Sequence, residues 1–292
     1  EANTVLDGVN EILAGGGTIL GDDGVSPATG LWVRRGATLT IKPNNDTDNA
    51  DGDGLASTGT MEQVHLDFDY GILIEGTLVV GRKDQAAMGD GLTLNGADLY
   101  FAWCTNLVIG SGGRVDTSGS NAPAAGTDGG NGGYFYADIQ GTIINRGVVD
   151  TSGGDGDDGG DGGYVYWDSD DNAIYNTGPI STFGGKGTAG TGGDGGYIHL
   201  YADADGGGGV FNSATLNADG GDGTTGGGNG DYVYFYSEEI GPCVNGGAIH
   251  CSGGDATVSG NGGDAGYVEF YAYSGRMSIG GSITARGGDS VA

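Results

Sequence analysis

The feature that most constrains this chain is an internal repeat. Six units follow residue 97, and each opens with an aromatic segment whose residues alternate with period two. The leading tyrosines are Tyr100, Tyr134, Tyr164, Tyr197, Tyr232 and Tyr267, so the units are 30 to 35 residues long. A repeat of this length without a helical pattern between segments is typical of a β-solenoid. We therefore predict an all-β chain in which each unit forms one coil, stacked on the last through parallel sheets.

The chain divides into two parts of one continuous solenoid. We predict that residues 1–96 form N-terminal coils with a cap and that residues 97–292 form the six glycine-rich coils. Val5, Leu6, Val9, Ile12 and Leu13 form a one-sided stripe at helical spacing, which predicts a short helix that caps the first coil. The alternative is an N-terminal strand that pairs with a neighbouring subunit. The Asp- and Asn-rich segment 44–60 predicts a solvated loop.

Alternation within the aromatic segments predicts which side chains fill the core. The inward pairs are Phe101/Trp103, Phe135/Ala137, Val165/Trp167, Ile198/Leu200, Val233/Phe235 and Val268/Phe270. The outward positions then hold columns of tyrosine, including Tyr134, Tyr164, Tyr197, Tyr232 and Tyr267. A monomer rarely leaves a large apolar area bare. Three explanations remain open: the glycine-rich loops cover the tyrosines, a neighbouring subunit covers them, or they stack on sugar rings.

Asparagine and cysteine residues at equivalent positions of the repeat are also expected to face the core. Asn145, Asn176, Asn212 and Asn245 occupy one equivalent position in four successive coils, which predicts a column of amides that hydrogen-bond along the axis. Cys243 and Cys251 are both expected to face inward within one coil. A disulfide between them and a pair of buried thiols are equally open interpretations.

Glycine accounts for 69 of the 292 residues and is concentrated between the coils' strands. Gly153, Gly156, Gly159 and Gly162 recur every third residue, which is the polyproline II period and favours closely packed extended segments. A plain flexible loop is the alternative interpretation.

Aspartate is the main charged residue of these stretches, and the formal net charge of the chain is −29. Aligned carboxylates are ligands that Ca²⁺ prefers, so we predict calcium as the one candidate cofactor. The candidate ligands are Asp155, Asp157, Asp158, Asp161, Asp194 and Asp222. Solvated negative charge that aids solubility is the alternative. The same charge excludes a nucleic-acid binder, which needs a basic surface.

Two segments of the N-terminal part, 31–43 and 71–80, resemble the coils of right-handed parallel β-helix proteins with a pectate-lyase-like winding. The later units are similar to those of secreted, glycine-rich prokaryotic surface proteins. This resemblance implies a right-handed β-helix and secretion, and it does not fix an activity. The chain begins at Glu1 without Met or a basic-then-apolar leader, which predicts an extracellular form with its signal peptide removed.

We expect a secreted structural protein, not an enzyme, that self-associates into a filament, sheath or surface layer. The predicted partner is a second copy, stacked head to tail so that the 278–288 coil meets residues 1–42 of the next chain. A carbohydrate-binding adhesin and a polysaccharide-degrading enzyme are the alternatives. The best catalytic candidates are His65, Asp67 and Asp69, although the cationic residues are scattered. The sequence contains no run of 18 apolar residues, so it predicts no membrane-spanning helix.

Overall fold

The computed structural model describes residues 4–6, 9–14, 19–20, 30–43, 63–67, 71–80, 95–203 and 207–291. Every regular element in these ranges is a β-strand. The first thirteen strands are β1 (Thr4–Leu6), β2 (Val9–Ala14), β3 (Ile19–Leu20), β4 (Gly30–Val33), β5 (Thr38–Pro43), β6 (Gln63–Asp67), β7 (Gly71–Ile74), β8 (Thr77–Val80), β9 (Asp98–Cys104), β10 (Asn106–Ile109), β11 (Arg114–Asp116), β12 (Phe135–Ile139) and β13 (Ile143–Asn145). The remaining strands are β14 (Val148–Asp150), β15 (Val165–Ser169), β16 (Ile174–Asn176), β17 (Ile180–Ser181), β18 (Ile198–Ala202), β19 (Val210–Asn212), β20 (Leu216–Asn217), β21 (Val233–Ser237), β22 (Cys243–Asn245), β23 (Ile249–His250), β24 (Val268–Ala272), β25 (Met277–Ile279) and β26 (Ile283–Thr284).

The strands form three parallel sheets that wrap around one core. In the described ranges, sheet A has nine strands in the order β1-β4-β7-β10-β13-β16-β19-β22-β25. Sheet B has nine in the order β2-β5-β8-β11-β14-β17-β20-β23-β26, and sheet C has eight in the order β3-β6-β9-β12-β15-β18-β21-β24. Each sheet takes every third strand of the chain, so the chain winds once around the core per three strands. The predicted all-β solenoid is confirmed.

The core lies between the three sheets and follows the predicted alternation. Phe135, Ala137, Val165, Trp167, Ile198, Leu200, Val233 and Phe235 are all completely buried. Their outward neighbours are only half buried, because each strand shows one face to the core and the other to solvent. Continuous columns of apolar side chains therefore run along the axis.

The register departs from the prediction at Trp103. Ala137 pairs with Phe101 and Asp138 with Ala102, but Ile139 pairs with Cys104, so β9 contains one extra residue. The bulge makes Cys104, which is completely buried, the inward residue where alternation predicts Trp103. The first unit is also shifted by two residues from the predicted alignment, since Tyr100 pairs with Tyr136 and not with Tyr134.

The predicted N-terminal helix is wrong. Residues 4–6 and 9–14 are β1 and β2, and they pair in parallel with β4 and β5 of the same chain. They form part of the first coil as strands, and their pairing with a neighbouring subunit stays a prediction. The predicted loop 44–60 and the side chains of His65, Asp67 and Asp69 lie outside the described residues.

The glycine-rich stretches form an ordered layer that we call the glycine array. Gly153, Gly156, Gly159 and Gly162 donate backbone hydrogen bonds of 2.8–3.1 Å to the next coil, at Phe183, Lys186, Thr191 and Asp194. Bonding at every third residue confirms the three-residue period over the flexible-loop alternative. Each stretch also pairs with itself, since an outgoing and a returning segment lie side by side.

One line of hydrogen bonds joins all the segments of the glycine array. Each donor N–H lies 2.8–2.9 Å from its acceptor, in the order Gly288 to Gly263, Gly263 to Gly254, Gly254 to Gly228, Gly228 to Gly221, Gly221 to Gly193, Gly193 to Gly185, Gly185 to Gly160, Gly160 to Gly154 and Gly154 to Gly130. A Cβ atom at Gly193 would lie 2.0 Å from the backbone oxygen of Gly160. Only glycine allows segments to approach this closely.

Buried threonines close the base of three glycine-rich stretches. Thr117 Oγ1 donates to the backbone oxygen of Gly133 at 2.9 Å, and Thr151 Oγ1 donates to that of Gly163 at 3.1 Å. Thr182 Oγ1 bonds Gly196 in the same way. These hydroxyls fix the point where the chain leaves the core and the point where it returns.

Candidate functional site

The four asparagines on sheet A form a hydrogen-bonded column within the core. Asn145 Nδ2 donates to Asn176 Oδ1 at 2.8 Å, Asn176 Nδ2 to Asn212 Oδ1 at 2.7 Å, and Asn212 Nδ2 to Asn245 Oδ1 at 2.7 Å. All four side chains are buried. Since buried amides are costly without partners, the column fixes the axial register of four successive coils.

The outward tyrosines that directly precede the strands of sheet C stack on one another along the axis. Ring centroids of Tyr134, Tyr164, Tyr197, Tyr232 and Tyr267 are 4.1–5.3 Å apart, with interplanar angles of 6–18°. Each inner ring therefore has both faces against its neighbours and shows its edge to solvent. Stacking by itself explains why such an aromatic surface can stay partly exposed.

The exposure and stacking of these rings help to distinguish the three explanations for the tyrosines. The rings of Tyr134, Tyr164, Tyr197 and Tyr232 remain of intermediate exposure, so the glycine array does not bury them. A sugar ring stacks on the face of an aromatic ring, and here the inner faces are occupied. Tyr267, in the last coil, is 57% exposed. Burial and the neighbouring ring of Tyr164 raise the pKa of Tyr134 to about 12.

The candidate calcium ligands lie along separate ladders of the glycine array. Asp161 Oδ1 accepts from the backbone N–H of Asp194 at 2.9 Å, and Asp194 Oδ1 accepts from that of Asn229 at 2.6 Å. Asp155, Asp158 and Asp222 accept in the same way from Lys186, Thr191 and Asp255. The carboxylate of Asp157 belongs to none of these bonds. Each engaged carboxylate ties its coil to the next.

Among the residues that the structure describes, no three His, Cys, Asp or Glu side chains converge as a metal site. Each carboxylate in these ladders accepts its hydrogen bond through one oxygen, and its other oxygen takes no part in the ladder. Calcium binding by these residues stays a prediction.

A patch of carboxylates flanks the tyrosines on β12, β15 and β18. Asp168 pairs in register with Asp138 and Tyr201, and the Tyr201 hydroxyl donates to Glu238. Burial, followed by the charges of Asp170, Asp138, Asp203 and Glu238, raises the pKa of Asp168 to about 7. Asp168 Oδ1 and His199 Nε2 are buried without a hydrogen-bond partner in the described ranges. Burial lowers the pKa of His199 to about 4.

The raised pKa of Asp168 predicts that the free energy of unfolding falls as pH rises. Its folded pKa lies above the value of 3.8 for the unfolded chain, so the folded state binds the extra proton between about pH 4 and about pH 7. We expect Asp168→Asn to raise the free energy of unfolding at about pH 8 and to leave it almost unchanged at about pH 4. Urea unfolding at both pH values measures this. Asp264→Asn, on an exposed carboxylate outside the patch, is the control, and an equal gain there would contradict the assignment.

The three cysteines are free and buried. Cys243 lies on β22 and its Sγ donates to the backbone oxygen of Tyr271 at 3.1 Å, whereas Cys251 follows β23 in another sheet. Burial raises the pKa of both thiols to about 11. Of the two interpretations, the structure shows the pair of thiols.

The last coil is open. In the preceding coil Cys243, Asn245 and Ile249 are at most 1% exposed, but their register partners Met277, Ile279 and Ile283 are 43–47% exposed. Among the described residues, β24, β25 and β26 each pair on one side only. The open end therefore presents apolar side chains and unpaired backbone groups together.

Sequence reasoning located the ladders but missed two features. The acidic patch around Asp168 depends on side chains from separate coils that the repeat brings into register, and the charge run Asp168, Asp170 and Asp171 was its only signal. A groove beside Phe183 was also missed. In its column of the repeat, Phe183 is an aromatic residue among Ser118, Ser152, Asp219, Ser252 and Arg286.

Comparison with protein-family models, curated proteins and solved structures gave no match to this chain. Within the described ranges, no helix has the length and hydropathy needed to cross a membrane. The architecture is therefore established by the chain's own strand pairing: it is an all-parallel β-solenoid.

Proposed function

We propose that this chain is an extracellular structural protein that assembles head to tail, one solenoid on the next, into a filament, sheath or surface layer. The observation that carries the proposal is the open last coil. An unpaired strand edge with an apolar core beside it is a template for further strands. An acidic, glycine-rich surface and the resemblance to secreted right-handed β-helix proteins support the extracellular setting.

The two ends of the solenoid match in strand direction. The first coil contributes β1, β2 and β3, and the last contributes β25, β26 and β24, in sheets A, B and C respectively. All pairing within the sheets is parallel, so a second copy placed on the same axis continues all three sheets without a change of direction. This geometry generates an open, non-closing polymer.

The register positions of the strands also match at the ends. The column that contains the asparagines begins with Leu6, Val33, Ile74 and Ile109 and ends with Ile279. The four asparagines are thus confined to the middle of this column, where they hydrogen-bond to one another. A second column runs from Leu20 to Phe270. Stacking continues the register position of Ile279 at Leu6 and that of Phe270 at Leu20, and all four are apolar residues in the sequence.

The oligomeric state of the purified chain tests the proposal. We expect linear polymers whose axial repeat is about 43 Å, since nine strands about 4.8 Å apart span that length. Ile279→Asp should give folded monomers, because it places a charge at the contact. Val258→Asp, at a side chain 64% exposed away from the three strand edges, is the matched control and should polymerise.

Sedimentation velocity at increasing concentration and electron microscopy measure these outcomes, and far-ultraviolet circular dichroism confirms that the variants fold. A wild-type chain that remains monomeric at high concentration contradicts the proposal. Polymers that survive Ile279→Asp, or contacts that are lateral only, also contradict it.

A further inference from the structure

A groove of about 520 Å³ lies beside the base of the glycine array, away from the open end. It spans three successive coils, and its lining includes Asn121, Ser152, Asp155 and Phe183. Backbone bonds from Gly119 to Ser152 and from Gly153 to Phe183 hold these coils in register. The groove is therefore built on ordered backbone, and it belongs to neither the tyrosine columns nor the open end.

Phe183 supplies an aromatic face to this groove. Its side chain is 36% exposed, although it follows the completely buried Thr182. Tyrosines of sheet C cover one another's faces at 4.1–5.3 Å, whereas no aromatic ring stacks on Phe183 in the described part of the chain. Exposing a phenyl ring to water among Ser and Asp side chains is unfavourable in free energy, and an apolar group that covers the ring removes this cost.

The polar groups around Phe183 are oriented by bonds that use only part of their capacity. Asn121 Oδ1 accepts from the backbone N–H of Asp155 at 2.9 Å, which leaves the Nδ2 group as a donor. Asp155 Oδ1 accepts from the backbone N–H of Lys186 at 2.8 Å, which leaves Oδ2 as an acceptor. Ser152 Oγ donates to Asp150 Oδ1 at 2.6 Å, so its lone pairs can accept.

The charges of the groove restrict the class of ligand. Asp155 is the one charged residue among the lining residues of the groove. An anionic ligand would meet Asp155 and the field of a chain with net charge −29. A purely apolar ligand would cover the remaining donor and acceptor groups of Asn121, Ser152 and Asp155 without giving them partners.

We propose that the groove binds a neutral saccharide. A pyranose ring has an apolar C–H face, which fits the face of Phe183, and a rim of hydroxyls that both donate and accept. Asn121 Nδ2 would donate to the sugar, and Asp155 Oδ2 and Ser152 Oγ would accept from it. The volume accommodates one or two sugar units. This inference does not depend on head-to-tail assembly.

Titration calorimetry on the full chain tests the inference. The probes are hexasaccharides of β-1,4-linked glucose, xylose and mannose and of β-1,3-linked glucose, with a galacturonic acid oligomer as the anionic comparison. We expect at least one neutral probe to bind and the anionic oligomer not to bind. Phe183→Ala should weaken binding about tenfold, because the stacking contact is lost. Phe183→Tyr should retain binding.

The matched control is Tyr175→Ala, which removes another exposed ring, 43% exposed and stacked on Phe211 in sheet A. It should leave affinity unchanged, and thermal melting should show that each variant folds. The inference is overturned if no neutral probe binds the wild-type chain, if Phe183→Ala binds as well as wild type, or if the galacturonic acid oligomer binds more tightly than the neutral probes.

Discussion

Replacing Gly193 by alanine should destabilise the fold by about 3 kcal/mol, the upper end of what overpacking usually costs. The new Cβ would lie 2.0 Å from the backbone oxygen of Gly160, which itself accepts a hydrogen bond from Gly185. No side chain can move aside, since the obstacle is backbone. Relief of the clash requires separation of two coils and loss of the hydrogen bonds between them, including those that Gly160 receives from Gly185 and that Gly159 makes to Thr191.

The matched control for this prediction is Gly246→Ala. Gly246 is exposed, and the nearest atom to its added Cβ is the backbone oxygen of Asn212 at 3.8 Å. We expect a change within about 0.5 kcal/mol. Urea unfolding midpoints measure both variants. Equal midpoints for Gly193→Ala and Gly246→Ala would show that the glycine array does not need glycine for packing.

Replacing Asn176 by isoleucine should cost about 3 kcal/mol, because two buried amides each lose one hydrogen bond. The shape is tolerated, since isoleucine already occupies this column at Ile109 and Ile279. The cost therefore reports hydrogen bonding. Asn145 Nδ2 loses the acceptor at 2.8 Å and keeps the one at Gly178, and Asn212 Oδ1 loses the donor at 2.7 Å.

The same substitution at the end of the column gives the comparison. Asn245 bonds one asparagine only, Asn212, so Asn245→Ile should cost less than Asn176→Ile. Changing all four asparagines together should cost less than the sum of four single changes, because partners are removed with each other. Denaturant titrations of the single and quadruple variants measure this. Strictly additive costs would argue against a cooperative column.

The registers of the second to sixth units could be predicted from sequence because burial imposes a period of two and the repeat supplies the phase. The predicted register of the first unit is wrong by two residues, because Tyr100 pairs with Tyr136. Every aromatic segment after residue 97 carries this pattern, and the asparagine column follows from the same alignment. The bulge at Trp103 could not be predicted, since one additional residue in a strand leaves no change in composition. Only the pairing of Ile139 with Cys104 reveals it.

The N-terminal segment was misassigned for a definable reason. Two short strands separated by Asp7-Gly8 place Val5, Leu6, Val9, Ile12 and Leu13 at intervals that imitate a helical stripe. An Asp-Gly pair is itself a turn signal and favours the two-strand interpretation. The glycine array was only half predictable, because its order comes from backbone hydrogen bonds and glycine offers no side-chain pattern beyond its three-residue spacing.

The groove at Phe183 illustrates what repeat alignment can miss. Alignment emphasises what successive coils share, whereas a binding feature arises where one coil differs from its neighbours. Phe183 stands in a column of Ser118, Ser152, Asp219, Ser252 and Arg286. Its significance depends on the exposure of its ring and on the polar groups that the adjacent coils bring beside it.

The glycine array also has a mechanical consequence. Its inter-coil hydrogen bonds act in the same direction as those of the three sheets, so a pull along the axis loads sheets and array in parallel at each boundary between coils. Gly153, Gly156, Gly159 and Gly162 contribute four such bonds at one boundary. The array thus widens the load-bearing cross-section without lengthening the molecule. A rod of this kind resists stretching through many weak bonds that must break together, and it resists bending through its added width.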